Sequence, residues 1–531
     1  MKRGIRVSPR GGFAWPRNRN WPAGTPSVAI IGAGFAGAAV GVALVKAGIP
    51  TFTIFEQSPH AGGAWWDNSY PGAEVDTNSH IYSFGFKPYN WTRTHASRDE
   101  LLGYLDETID QYGLRGRLRL SCGVTEARWD ERTHQYRVST TTGETRTFDI
   151  VISAVGFLNV PKYPTWPGLA DFVGPAFHTA RWEHQHDLTG KRVAVVGSGS
   201  SASQVVPAIA PIAAEVYQFQ REPGWVRPKR DRNYTPAERA ALTPLIQRYR
   251  RIVLFWQYEW PMLGAKWIRP GTKAHARMEQ LCRDHIAEQL AGRPDLQDVV
   301  TPRYPFFGKR PLASDNYYPA LLRENVHLTP KAVASVTAKG VIDADGEEYP
   351  VDAIVMATGF QAANYLATFE VYGRNGTSLH EFWAGDPAAF IGLTVPGFPN
   401  FFMLYGPNTN GGAIVSNLHR QAEYAVGAIR AMQRTGATSI DVRLWPYRLY
   451  NRWLERRIAG TAWTYSNNYY KSPSGRVVTN FPDSAIVYAV LTKVFRAGLV
   501  SRLSRATRPD LRSDGRDAAR SVSAQDGDAA G

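Results

Sequence analysis

Two stretches of the chain carry the same order of apolar and polar positions. Val28–Ile31 and Val193–Val196 are short runs of β-branched and small apolar residues, and each leads into spaced glycines or serines and then a weakly polar stretch. That order predicts a strand, a tight turn and a helix. Residues 28–45 are uncharged over eighteen positions, close to the length of a membrane span. Gly32, Gly34, Gly37 and Gly41 interrupt that run and favour strand, turn and helix instead. A second strand is predicted after each turn, in "TFTIFEQ" and in "EVYQFQRE".

Residues 231–300 read differently. "YTPAERAALTPLIQRYRRIVLFWQYEW" opens on a Thr-Pro helix start, and "ARMEQLCRDHIAEQLAG" places Met278, Leu281, Cys282, Ile286 and Leu290 on one helical face before Gly292. This segment is expected to be a helical insertion. Its aromatic part, "IVLFWQYEWPML", suits a substrate entrance, a membrane contact or burial against the sheet, and burial is the expectation. The first 24 residues and the tail from about Arg502 are polar and are expected to be disordered.

Composition narrows the class. A chain of 531 residues holds two or three domains, and 44% hydrophobic with 20% charged residues is ordinary for a globular protein. The two cysteines, Cys122 and Cys282, form no C-x-x-C, which excludes a disulfide framework and a dithiol redox centre and fits a reducing cytoplasm. The net charge of +15 is partly peripheral, since residues 1–24 hold six basic residues and no acid. No basic stripe interleaves with aromatics, so no nucleic-acid partner is expected. No apolar core follows the basic start, so neither a signal peptide nor a transmembrane segment is expected. His184 and His186 lie in a polar linker and are expected to be solvated, leaving no metal site.

The glycine turns carry the candidate chemistry. "VAIIGAGFAG" supplies Gly32, Gly34 and Gly37, the spacing that lets a backbone approach a pyrophosphate at a helix N-terminus. Glu56, nineteen residues after Gly37, is placed to accept hydrogen bonds from ribose hydroxyls. "VAVVGSGSSA" repeats the turn with Gly197, Ser198, Gly199, Ser200, Ser201 and Ala202, and here Arg221 stands nineteen residues on. An arginine pairs with a 2′-phosphate where an acid repels it. The first turn therefore suits an adenine dinucleotide with free ribose hydroxyls, and the second suits NADP(H), with Glu222 beside Arg221 leaving some use of NADH open. Two such sites suggest hydride transfer from NADPH to a bound flavin. With neither dithiol nor metal to carry electrons onward, oxygen is the expected acceptor.

Just before the second turn, Phe172, Gly174, His178 and Trp182 fall as F-x-G-x-x-x-H-x-x-x-W. This resembles the fingerprint of the Baeyer–Villiger monooxygenases. "GGAWWDNSYPGAEVD" resembles a second signature of that family, through Gly62, Gly63, Trp65, Tyr70, Pro71, Gly72 and Asp76. "GKRPLASDNYYPAL" resembles the segment with the family's active-site arginine, here Arg310 after Lys309. "ATGF" and "PNFFMLYGPNTN" look like its later flavin-domain landmarks, the latter nearest the branch with aryl-ketone oxygenases. Three departures stand out: Glu183 where proline or aspartate is usual, "SAVG" at Ser153–Gly156, and Tyr469 where many relatives have tryptophan.

The resemblance implies an α/β fold of two doubly wound Rossmann-like domains. An FAD domain would be formed by residues 25–157 and 358–501, and an NADP domain by 158–357 with the insertion at about 231–300. It implies conversion of a ketone to an ester or lactone with FAD, NADPH and O2 through a flavin peroxide. Arg310 would stabilise that anion, because arginine stays protonated at any working pH. Asp76 would orient Arg310. Ala64, Trp65, Asp76, Tyr82, Val124 and Leu418 would wall the flavin, Lys309 would join Arg221 at the 2′-phosphate, and Tyr469 would lie near the nicotinamide. The fingerprint residues would act as a linker that moves with the nicotinamide. The alternatives are a related flavin enzyme oxidising nitrogen or sulfur, and an NADPH oxidase or non-catalytic flavoprotein.

Overall fold

The computed structural model describes residues 25–506; the expected N-terminal disorder and most of the expected disordered tail lie outside them. Two five-stranded parallel sheets dominate. The first has the spatial order Phe401–Met403, Ile150–Ser153, Val28–Ile31, Phe52–Phe55 and Leu118–Arg119. The second runs Val326–Thr329, Glu215–Phe219, Arg192–Val196, Ala353–Met356 and Ala176–His178. In each, the strand that enters the glycine turn lies at the centre.

Parallel sheets are covered on both faces, so their central strands are apolar throughout. Val28 and Ile30 pack toward the helices Phe35–Ala47 and Ile414–Thr435. Ala29 and Ile31 face the other way, into a cluster with Trp129, Tyr136 and Val138 from a small antiparallel sheet. The second sheet repeats this. Val193 and Val195 meet the helix Ser200–Ile209, while Ala194 and Val196 meet a three-stranded antiparallel sheet built from residues 333–350.

Residues 231–300 form the expected helices, Pro236–Ala241, Pro244–Glu259, Lys273–Gln289 and Pro294–Val300. Thr235, Thr243 and Thr272 cap the first three through their side-chain oxygens. Cys282, Ile286 and Leu290 are buried as the periodicity predicts. Both cysteines are free and buried.

Two expectations fail. Burial of the aromatic helix is only half right: Leu254, Phe255 and Tyr258 pack on Ile81, Ala413 and Ala485, but Leu245, Tyr249, Ile252, Trp256 and Trp260 face outward. The start of the polar tail is also ordered. Ser501–Ser504 forms an antiparallel strand on Ser439–Val442, joined further by the hydroxyls of Ser439 and Ser504 at 2.6 Å. Polar composition does not reveal it, because the strand is held by backbone pairing and by Leu503 alone packing on the core. Among the described residues, no helix is long and apolar enough to cross a membrane, and no group of His, Cys, Asp and Glu is arranged to hold a metal ion.

Candidate active site

The two glycine turns are built alike. The Gly32 amide donates to Phe55 O at 2.7 Å, and the Gly197 amide to Phe219 O at 2.9 Å. Gly32 has φ +103° and Gly197 φ +142°, and a Cβ would lie 2.8 Å from Ala154 O in the first and 2.3 Å from Ala357 O in the second. A side chain at either position would push the turn off the neighbouring strand. "SAVG" is thus the structural counterpart of "ATGF": Ala154 N donates to Ile31 O at 2.7 Å and Ala357 N to Val196 O at 2.9 Å.

A cavity of about 1250 Å³ runs between the turns. Gly32, Gly34, Glu56, Ala64, Trp65, Asp76, Tyr82, Val124 and Leu418 line its first part. Gly197, Ser198, Gly199, Ser200, Ser201, Arg221 and Lys309 line the second, with Arg310 and Tyr469 also on its wall. Gly37 and Ala202 do not line it; Gly37 packs the helix on its strand, with a Cβ position only 2.0 Å from Gly32 O, and Ala202 is fully buried.

The residue after each second strand differs. Glu56 is buried and accepts from Ala33 N at 2.7 Å and from Ser58 N at 2.9 Å. Arg221 is exposed. Its neighbour Glu222 forms an ion pair with Lys309, and its carbonyl accepts from Ser198 Oγ at 2.6 Å.

Arg310 lies just before the two-residue strand Leu312–Ala313, which pairs with Val226–Arg227. That pairing fixes two arginines around one residue. Arg310 donates to the Asp76 carboxylate at 2.7 Å, and Arg227 donates to the Asp76 carbonyl at 3.0 Å. Burial opposes charge on Asp76, but Arg310, with Arg227 and Lys229 behind it, outweighs burial and holds the carboxyl below its usual value. The Asp76 charge in turn raises Arg310 well above the ordinary arginine value. A fixed cation therefore faces the cavity. Tyr469 lies beside it, its hydroxyl pushed up chiefly by burial.

Aromatic residues complete the wall. Trp65 Nε1 donates to Tyr82 Oη at 3.0 Å, and burial pushes the Tyr82 phenol up to about 12. Tyr70 Oη donates to Gln204 at 2.9 Å, and Gln204 donates to Glu74 O at 2.9 Å, which ties the residue 62–76 segment to the second nucleotide helix.

The fingerprint residues are not on the cavity wall. His178 ends the edge strand of the second sheet; its Nδ1 accepts from Ala180 N at 3.1 Å and its Nε2 donates to Gly359 O at 3.0 Å. The Nδ1 bond needs the neutral ring, and burial lowers its pKa to about 4. Gly174 has no room for a side chain, which would meet Asp352 O and the Phe172 ring. Trp182 packs edge-on against Phe177. Glu183 accepts from Gln185 and His186, and His184 bonds Ser69.

Three further residues stand on or beside the cavity wall. Tyr405, held at φ +57°, donates to Asn410 at 2.8 Å, and Asn410 donates to Asn480 at 2.8 Å. Glu259, fully buried, accepts from Ala413 N and Ala485 N at 2.6 Å each, at the start of two helices beside the cavity. Tyr405 and Asn410 lie within the "PNFFMLYGPNTN" landmark. For Glu259 the signal available was a lone acid in an aromatic helix.

The chain is similar to known proteins over most of its length. Residues 29–255 match the family model described as pyridine nucleotide-disulphide oxidoreductase. A Baeyer–Villiger monooxygenase of Pseudomonas aeruginosa is 37% identical over 478 residues, covering 88% of this chain and 90% of that one. Another, from Streptomyces coelicolor, is 37% identical over 465 residues, covering 86% and 89%. Among solved structures, a closed crystal structure of cyclohexanone monooxygenase superposes with a TM-score of 0.82 at 26% identity, covering 91% of this chain and 99% of that one. An oxidized steroid monooxygenase bound to NADP gives 0.81 at 27% identity, covering 90% and 99%. Two parallel sheets, paired glycine turns and a guarded arginine thus come with full-length sequence likeness, and the chain belongs to the Baeyer–Villiger monooxygenase family.

Proposed function

We propose that this chain binds FAD at the first glycine turn and NADPH at the second, and uses O2 to insert one oxygen beside the carbonyl of a ketone. Ketone, O2, NADPH and one proton become ester or lactone, NADP⁺ and water. The observation that carries the reading is the Arg310–Asp76 pair, 2.7 Å apart on the wall of the cavity that joins both turns.

The residues fit the two nucleotides. The first turn, the amide end of the helix Phe35–Ala47 and the buried Glu56 form a seat for a pyrophosphate and a ribose diol. Ala64, Trp65, Tyr82, Val124 and Leu418 supply the wall of a flavin seat. The second turn with Arg221 and Lys309 forms a seat for a 2′-phosphorylated nucleotide, which must draw Lys309 from Glu222. On this reading residues 25–157 and 358–501 house the flavin, and residues 158–357, with the insertion at 231–300, house the nicotinamide cofactor.

When bound and reduced, the flavin supplies the activation of oxygen. The protein's part is electrostatic. Arg310 holds a positive charge at every working pH and stabilises an anion on the reacting oxygens and on the former carbonyl oxygen. Asp76 positions the guanidinium and keeps its charge from attracting bulk anions. Trp65 and Tyr82 exclude water, and Tyr82 remains a neutral phenol over the working range. Tyr469 stands next to Arg310 on the nicotinamide side.

The test is product identity. FAD-loaded protein is supplied with NADPH and O2 and a panel of aryl, cyclic and aliphatic ketones plus one sulfide, with products read by mass spectrometry. Ester or lactone 16 mass units above the ketone is expected. Sulfoxide without ester, or hydrogen peroxide alone, would overturn the reading.

A further inference from the structure

The inner side of the helix Pro244–Glu259 mixes apolar and polar residues. Leu254, Phe255 and Tyr258 pack inward, and three polar side chains anchor them: Gln247 donates to Leu242 O, Arg251 donates to Ser83 O and Ser416 Oγ, and Glu259 is the buried acceptor for Ala413 and Ala485. The outermost positions of the helix are apolar. Leu245 is 77% exposed, Tyr249 68% and Trp260, just beyond the helix, 66%. Ile252 and Trp256 lie between them and are also exposed. The positions 245, 249, 252, 256 and 260 follow a spacing of three and four, so they form one stripe about 24 Å long. The buried anchors fix the helix's rotation, so this stripe stays in water as the chain stands. A monomeric soluble protein seldom leaves such a face uncovered.

Charge identifies the occupant. From Arg239 to Arg277, both included, the sequence holds eight basic residues, of which Arg251 points inward, and one acid, Glu259, which is the buried anchor. Arg248 is exposed beside the stripe, and Arg250 stacks over Tyr234 at 4.8 Å. A second copy docking through the same face would bring two basic rims together. An anionic bilayer complements them. Tryptophan and tyrosine are also the side chains that favour the bilayer–water boundary.

We propose that the outer face of this helix, continued through Trp260, docks on an anionic lipid surface and lies in its interfacial layer without crossing it. The inner side of the same segment reaches the cavity, where Gln257, Tyr258, Pro261 and Met262 form part of the wall. The docked face and the cavity wall are thus two sides of one segment. This deepens the ketone reading, on which it rests for its substrate: the ketone is a lipophilic one that partitions into the bilayer.

The experiment is vesicle flotation of the full FAD-loaded chain, which needs no turnover and so fails independently of the ketone reading. Phosphatidylcholine vesicles containing phosphatidylglycerol are expected to carry the protein up the gradient, those of phosphatidylcholine alone to carry much less, and added salt to release it. The double variant Tyr249→Glu/Trp256→Glu is expected to lower the bound fraction at least about tenfold, with NADPH oxidation on a water-soluble ketone unchanged. Leu245→Ser/Ile252→Ser serves as a second pair should the first not fold. No flotation on either vesicle, or flotation that both variants leave unchanged, would overturn the proposal. A wild-type dimer in sedimentation that the variants split would overturn it in favour of a second copy.

Discussion

The two nucleotide turns share a skeleton and differ in their finish. In both, a glycine amide bonds the end of the next strand and the turn presses on an Ala-x-Gly segment from a third strand, at Ala154 in one and Ala357 in the other. The first turn is closed around its acid: Glu56 is buried, and each of its oxygens accepts one backbone amide, from Ala33 and Ser58. The helix behind it is buried from Phe35 to Leu44. The second turn stays open, with Arg221 exposed and Lys309 paired with Glu222. Topology makes each turn a phosphate seat. The residue after the second strand and the depth of burial decide whether the proposed guest stays or exchanges.

The largest effect is expected from breaking one turn at a time. Gly32→Val should leave purified protein without flavin absorbance, at least about a hundredfold weaker in flavin binding. Gly197→Val should keep the flavin and lose saturation by NADPH. Loss of flavin from both variants would mean that the two turns do not serve separate guests.

His178 belongs to the second unit only and gives it a pH dependence. Its folded pKa of about 4 lies below the ordinary value near 6.5. Folding is therefore favoured by the neutral ring above about pH 6.5, and this contribution is lost as pH falls toward 4, by up to about 3 kcal/mol. Denaturant titrations across that window should show a shallower loss in His178→Gln, whose amide can still donate to Gly359 O. Parallel pH profiles would remove the argument.

Smaller effects come from the rim of the second turn. Arg221→Ala should raise KM for NADPH about thirtyfold, with kcat and the KM for NADH nearly unchanged, as for a lost charge-assisted pair of about 2 kcal/mol. Glu222→Gln should lower KM for NADPH by about fivefold or less, because it frees Lys309 from an exposed ion pair. Steady-state kinetics with both cofactors checks the two together. If Glu222→Gln raises KM, the carboxylate helps the nucleotide and does not compete with it.

What was legible in the sequence follows from the range of each interaction. The turns, their strands and the charge reversal between Glu56 and Arg221 are local patterns, and the structure repeats them closely. The pairing of Asp76 with Arg310 spans 234 positions and was reached only through resemblance to a known family. Glu259 bonds amides 154 and 226 positions away, and no local pattern reports such a partner. The helix Pro244–Glu259 is buried on one side only, because the run of apolar residues marks the segment but not which of its faces the rest of the fold covers. The strand Ser501–Ser504 is hidden in a polar stretch because it is held by backbone pairing with Ser439–Val442 and by a single apolar side chain, Leu503, on the core.

The central claim is that Arg310 serves the oxygen step and not the hydride step. Stopped-flow measurement of Arg310→Ala, first without oxygen and then with oxygen and a ketone that the wild type converts, tests it most directly. Flavin reduction by NADPH should stay within about tenfold of wild type, while ester yield falls at least about a thousandfold and the electrons appear as hydrogen peroxide. Ester formation within about tenfold of wild type, or loss of flavin reduction in step with ester, would contradict it.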